Sequence, residues 1–118
     1  MELVTEFSIG IVALLHCLFM VLEMFLWRTP AGRAISGLNS EMAANTSKLA
    51  ANQGLYNGFL ASGLVWSLSD KTFTSELRVF FLGCVVIAGV FGAITVNRKI
   101  LFVQAVPGVI ALVLVLLS

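Results

Sequence analysis

Two ionisable side chains, His16 and Glu23, lie in the first long apolar stretch of the 118-residue chain. Inserting an ionisable group at the centre of a membrane helix costs about 2.5 to 3.5 kcal/mol, so such a residue marks a candidate functional site. Their spacing of seven residues is two helical turns, which predicts one shared face and a depth difference of roughly 10 Å. The pair could act as general acid and base or bind the polar end of a ligand. Zinc ligands on one helix are three or four residues apart, so the spacing disfavours a metal site.

Further polar residues are expected near the depth of Glu23. The first and third loops lie at one end of the predicted bundle. About one helical turn from that end lie three amide side chains, those of Asn52, Gln53 and Gln104. Tyr56 and Asn57 lie one turn deeper, towards His16. The sequence therefore predicts a polar pocket in the cytoplasmic half of a helical bundle, and the candidate ligand-binding residues are His16, Glu23, Asn52, Gln53, Tyr56, Asn57 and Gln104.

The composition indicates that the bilayer is the solvent. Hydrophobic residues make up 59% of the chain and charged residues 11%, against roughly 45 to 50% and about 25% in soluble domains. A soluble domain of this size could not bury so much apolar surface. The net charge of +1 excludes binding of nucleic acid by bulk electrostatic attraction. No nucleotide, cofactor or metal motif is present, and Cys17 and Cys84, inside apolar stretches, are expected to be packing residues.

Four stretches approach the roughly 20 apolar residues that a spanning helix needs. Helices are expected because every backbone group must be satisfied within its own segment. The predicted fold is all-α, a four-transmembrane-helix bundle in a single integral membrane domain over residues 1–118, with spans at about 7–27, 49–68, 77–96 and 100–117. The second helix is expected to begin earlier, near Asn39 or Ser40, which are good N-cap residues ahead of Glu41.

The distribution of Lys and Arg predicts the orientation in the membrane. The first and third loops carry five of these residues and the opposite side carries two, which predicts a multi-pass protein of the inner (plasma) membrane with both termini outside. Glu2 and Glu6 precede the first stretch where a signal peptide would be basic, so this stretch is expected to be retained. The five residues are Arg28, Arg33, Lys48, Arg98 and Lys99, and the two are Lys71 and Arg78.

Small residues recur at close helical spacing on the second and third predicted spans. Gly54 and Gly58 form a GxxxG pattern, and Gly89 with Ala93 repeats the spacing. Such faces allow two helices to approach closely. They predict either tight packing within one bundle, which we favour, or the seam of a homodimer.

The segment Asn52–Gly58, with the sequence NQGLYNG, is the core of a family resemblance. Together with Met24–Trp27 before it and Arg98–Gln104 after it, the segment resembles the bacterial family of small integral membrane proteins called domain of unknown function 1304. The resemblance extends over nearly the whole chain. It implies four membrane spans and carries no established activity with it.

Three functions remain open from the sequence. The first, which we favour, is binding or transport of a small hydrophobic molecule with one polar end through the predicted pocket. The second is a membrane enzyme that uses His16 or Glu23 as acid or base, with Tyr56 as the one plausible second group. The third is an accessory subunit in which the polar residues only fix helix register, with Glu23 paired to a basic residue of the third loop.

Overall fold

The computed structural model describes residues 1–118, and its regular secondary structure is entirely helical. Five α-helices follow one another, and two of them are extended by a π-helical turn. The bounds are α1, Glu2–Val21, continued by a π segment at Leu22–Leu26; α2, Pro30–Ser36; α3, Ser40–Ser69; α4, Thr74–Thr95; and α5, Val106–Leu117, preceded by a π segment at Leu101–Ala105.

The long helices lie where the sequence predicts them, with shifts at their ends. Helix α3 begins at Ser40, and the side-chain oxygen of Asn39 accepts a hydrogen bond of 2.8 Å from the backbone N–H of Met42, which confirms the predicted start. Helix α1 begins at Glu2, before the predicted span at about 7–27. The apolar run underestimates its length because acidic residues stabilise the first turns of a helix, where the helix dipole is positive.

The short helix α2 is absent from the sequence prediction, which treats residues 28–39 as a loop. Thr29 caps it by accepting a 3.1 Å hydrogen bond from the N–H of Gly32, and Pro30 occupies the first turn. Gly37 ends it with a left-handed φ of 78°. These are the usual start and stop signals of a helix, and seven residues are too few to show an apolar periodicity. A side chain at Gly32 would overlap the carbonyl oxygen of Leu26.

The chain forms two compact units, and α1 and α3 each contribute residues to both. The first unit comprises Met1–Leu15 and Leu60–Ser118, and the second comprises His16–Phe59. Seven residues form the buried core of the first unit: Ile9, Val12, Ala13, Leu64, Leu82, Val85 and Ala111.

Helix α4 packs closely against the stretch Leu101–Leu117 in the first unit because a glycine, which has no side chain, lies at each of two contacts. A Cβ atom at Gly89 would lie 2.9 Å from the backbone nitrogen of Ala105. A Cβ atom at Gly108 would lie 2.9 Å from a methyl carbon of Val85. The face of α4 that contains Gly89 therefore packs against another segment of the same chain.

A polar cluster lies at the N-terminal end of α1, also in the first unit. The Arg78 side chain is buried, and its Nη1 and Nη2 lie 2.8 Å from Oε1 of Glu2 and 3.7 Å from Oε1 of Glu6. The buried Thr5 hydroxyl lies 3.2 Å from the Ser118 hydroxyl. Sequence reasoning counts Arg78 as a loop charge because the carboxylates that surround it are more than 70 positions away in the chain.

Two helical stretches are long and apolar enough to cross a membrane, Glu2–Leu26 and Thr74–Thr95. The stretch Leu101–Leu117 is apolar but shorter. Helix α3 has 30 residues, and its first ten are mainly polar or small, so its length exceeds its apolar part. Helical architecture is thus confirmed, and two of the four predicted spans satisfy the criteria of length and composition.

Candidate functional site

A pocket of about 250 Å³ opens between the end of α1, the start of α2 and the first half of α3, within the second unit. This volume is that of about eight water molecules at about 30 Å³ each. It lies below the roughly 300 to 1,000 Å³ of pockets that enclose a whole drug-sized ligand. The lining combines one carboxylate, one guanidinium, two hydroxyls and three large apolar side chains: Glu23, Arg28, Thr29, Ser47, Met24, Phe25 and Trp27.

Glu23 is held in place by α3. The Nδ2 atom of Asn57 donates a hydrogen bond to Oε1 of Glu23. Gly54 lies one turn before Asn57, and a Cβ atom there would be 3.0 Å from Cβ of Glu23 and 3.1 Å from the carbonyl oxygen of Met20. The absence of a side chain at Gly54 therefore lets the two helices approach closely enough for Asn57 to reach the carboxylate.

The two hydroxyls at the pocket already donate their protons to the backbone. Thr29 Oγ1 donates to the carbonyl oxygen of Leu26 at 2.6 Å, and Ser47 Oγ donates to that of Ala44 at 3.0 Å. The indole N–H of Trp27 is engaged too, since Nε1 donates to Oγ1 of Thr46 at 3.0 Å. None of these three side chains has a free donor. Ser47 can offer a ligand an acceptor oxygen and Trp27 an aromatic surface, whereas Thr29 Oγ1 also accepts from the N–H of Gly32.

Arg28 is the donor that remains. It is exposed, and neither a hydrogen bond nor a salt bridge engages its guanidinium. Both salt bridges of the structure belong to Arg78, so Glu23 and Arg28 line the same pocket without pairing with each other. The pocket therefore presents a negative and a positive group at separate positions.

The structure brings together two of the seven predicted site residues, Glu23 and Asn57. His16 is fully buried, and its ring meets that of Phe19 edge to face with the centroids 5.2 Å apart. It does not line the pocket. Gln104 belongs to the first unit, where its Nε2 donates a 3.0 Å hydrogen bond to the carbonyl oxygen of Val85.

Asn52, Gln53 and Tyr56 lie on exposed faces of α3. The helical wheel explains the difference from Asn57. At about 100° per residue, Asn57 lies only about 60° from Gly54, whereas Gln53 lies about 100° away and the other two about 160° away. Tyr56 contacts Phe59, with a ring separation of 6.2 Å, and is not hydrogen bonded to His16 or Glu23.

Sequence reasoning missed Arg28, Thr29, Ser47 and the apolar lining of the pocket. A signal for Ser47 is present, because small residues recur on α3 at 43, 47, 50, 54 and 58 with the period of a helix. Ala43, Ala50 and Gly54 are buried, so this stripe marks the packed face. Arg28 and Thr29 carry no such signal, since their approach depends on the sharp turn between α1 and α2.

The comparisons with known proteins bear on the whole chain. The model of the family "Protein of unknown function (DUF1304)" matches residues 10–116. The chain belongs to this family. Among curated proteins, one relative is the uncharacterized protein YpaA of Lactococcus lactis subsp. lactis (strain IL1403), which is 27% identical over 105 residues that cover 87% of this chain and 88% of the relative. No solved structure matches the chain.

The DUF1304 assignment confirms the resemblance predicted from the NQGLYNG segment. The family match extends over both units and over every residue that lines the pocket. Neither the family description nor the relative's name states an activity.

Proposed function

We propose that this DUF1304 protein is a four-span membrane protein that binds a small amphiphilic molecule, with the polar end in the pocket at the end of α1. The observation that carries the proposal is the mixed lining of that pocket, in which Glu23 and Arg28 stand unpaired with each other beside Met24, Phe25 and Trp27. The hydrogen bond from Asn57 engages only Oε1 of Glu23, so the carboxylate keeps a second oxygen for a ligand.

The size and position of the pocket support an amphiphile over a fully polar ligand. The pocket has room for a headgroup-sized moiety and not for a whole lipid. Phe25 lines it and is 68% exposed, so an apolar tail could continue from the pocket along the outer surface of α1. In a bilayer this surface would face the acyl chains.

Native mass spectrometry of the gently solubilised protein tests the binding. Wild type is expected to retain a small molecule, and Glu23→Gln is expected to reduce its occupancy by about tenfold, because the carboxylate charge is lost while side-chain shape is kept. Glu76→Gln is the matched control, since Glu76 is exposed at the start of α4 and lies outside the pocket. Identical spectra for the three proteins would contradict binding at this pocket.

We also propose a multi-pass location in the plasma membrane with both termini outside. The asymmetry of Lys and Arg supports it, because five of these residues are assigned to the inner side and two, Lys71 and Arg78, to the outer side.

Labelling with an impermeant maleimide tests this orientation. Cys17 and Cys84 are first replaced with Ala, and a single cysteine is then introduced by Ala34→Cys in α2 or Thr72→Cys between α3 and α4, both at exposed positions. In intact cells Thr72→Cys should react, and Ala34→Cys should react only after permeabilisation. The reverse pattern would overturn the orientation, and reaction at both positions in intact cells would overturn the four-span topology.

A further inference from the structure

The pocket at the end of α1 offers a ligand hydrogen-bond acceptors at one position and a donor group at another. The groups that can accept a hydrogen bond from a ligand are the Glu23 carboxylate and the hydroxyl oxygen of Ser47. The Ser47 hydroxyl itself donates a hydrogen bond to the Ala44 carbonyl. The pocket's one uncommitted donor is the Arg28 guanidinium. A ligand that engages both groups donates hydrogen bonds at one position and accepts them at another.

The charges sharpen this requirement. Asn57 occupies one oxygen of Glu23, Oε1, which leaves Oε2 to accept from a ligand. Glu23 and Arg28 do not form a salt bridge with each other. A carboxylate and a guanidinium that share a pocket without pairing favour a ligand with a cationic donor and an anionic acceptor of its own, because each forms charge-assisted hydrogen bonds.

We propose that the pocket recognises a zwitterionic headgroup made of a primary ammonium and a phosphate, with the ammonium at Glu23 and the phosphate at Arg28. This inference rests on the proposed binding function and names its ligand class. Arginine suits the anionic half, since its planar fork matches the oxygens of a phosphate. The exposed ring of Phe25 places an apolar surface beside the pocket for an acyl chain, so we commit to an aminophospholipid as the source.

Three lipids with identical dioleoyl chains separate the elements of this recognition. Phosphatidylethanolamine carries both charges and N–H donors, phosphatidylcholine carries both charges without N–H donors, and phosphatidylglycerol lacks the cation. The full-length protein is exchanged into an equimolar mixture of the three in detergent, and the retained lipids are counted by native mass spectrometry. Wild type should retain phosphatidylethanolamine about tenfold over phosphatidylglycerol and several-fold over phosphatidylcholine.

Two variants assign the two halves of the headgroup. Glu23→Gln should abolish the preference for phosphatidylethanolamine over phosphatidylglycerol, because the carboxylate that selects the ammonium is gone. Arg28→Gln should lower the retention of all three lipids by about tenfold, since all three carry phosphate. Glu76→Gln and Arg98→Gln, at exposed positions outside the pocket, should behave as wild type.

The outcomes separate this inference from the binding function on which it rests. Equal retention of phosphatidylethanolamine and phosphatidylglycerol by wild type, or an unchanged preference in Glu23→Gln, would overturn the zwitterionic ligand. Equal retention of phosphatidylcholine would overturn the primary ammonium, since aromatic rings such as Trp27 also attract quaternary ammonium groups. If the binding function holds in either case, wild type still retains another molecule that Glu23→Gln loses.

A competition experiment identifies the source of the headgroup. Free O-phosphoethanolamine is added to the protein loaded with phosphatidylethanolamine. If the lipid is the ligand, the free compound should displace it poorly, because it lacks the acyl chains. Displacement at a concentration equal to that of the lipid would overturn the lipid as source and retain the headgroup chemistry.

Discussion

Replacing both Glu2 and Glu6 with glutamine is expected to lower the free energy of unfolding by about 2 to 3 kcal/mol. Arg78 is 5% exposed, and its guanidinium has these two carboxylates as its counter-charges. Removal of one partner from a fully buried ion pair costs about 3 to 5 kcal/mol, and the loss is smaller here because the carboxylates are about half exposed. Thermal unfolding in one detergent, followed by tryptophan fluorescence, measures the change.

Two further variants isolate the buried charge as the cause. The double variant Glu41→Gln with Glu76→Gln changes the net charge equally at exposed, unpaired positions in the first turns of α3 and α4. Loss of the helix-dipole interaction alone should lower its stability by about 1 kcal/mol. Adding Arg78→Met to the Glu2 and Glu6 double variant should recover most of the loss, because an apolar side chain of similar length needs no counter-charge. Equal losses in the two double variants would rule out a role for the Arg78 ion pairs.

Substitution of alanine for Gly89 is expected to destabilise the packing of α4 against α5 by about 2 kcal/mol. The new Cβ atom would lie 2.9 Å from the backbone nitrogen of Ala105 and 3.0 Å from its Cα atom. Backbone atoms cannot move aside as a flexible side chain can, so the helices must separate. Overpacking costs about 1 to 3 kcal/mol, and alanine regains about 1 kcal/mol or less through its helix propensity.

Gly83 in the same helix provides the matched control. A Cβ atom at Gly83 would meet nothing within 4 Å, so Gly83→Ala should be neutral or stabilising by up to about 1 kcal/mol. The same chemical change six residues apart is therefore expected to have opposite signs in thermal unfolding. A stabilised Gly89→Ala protein would show that α4 is not in close contact with Ala105.

Much of the candidate site depends on angles that the polar pattern alone does not contain. The depth estimate places Asn57 one turn deeper than Glu23, towards His16, whereas the structure joins the two side chains by the hydrogen bond from Asn57 to Glu23. The same reasoning grouped Gln53 with Asn57, although only Asn57 lies near the Gly54 face. The small residues of α3 decide which face packs, because close approach between helices depends on the smallest side chains and polar groups follow that choice.

The sequence by itself determined the helical class, the positions of the four long helices, the start of α3 and the family. These properties follow from local signals: apolar length, capping residues and the NQGLYNG segment. Tertiary structure alone decided that Arg78 forms ion pairs with Glu2 and Glu6. It also decided that Gln104 donates a hydrogen bond to the Val85 carbonyl and that Arg28 lines the same pocket as Glu23. The physical reason is that partners of buried polar groups are chosen by helix rotation and loop geometry, which depend on residues distant in the chain.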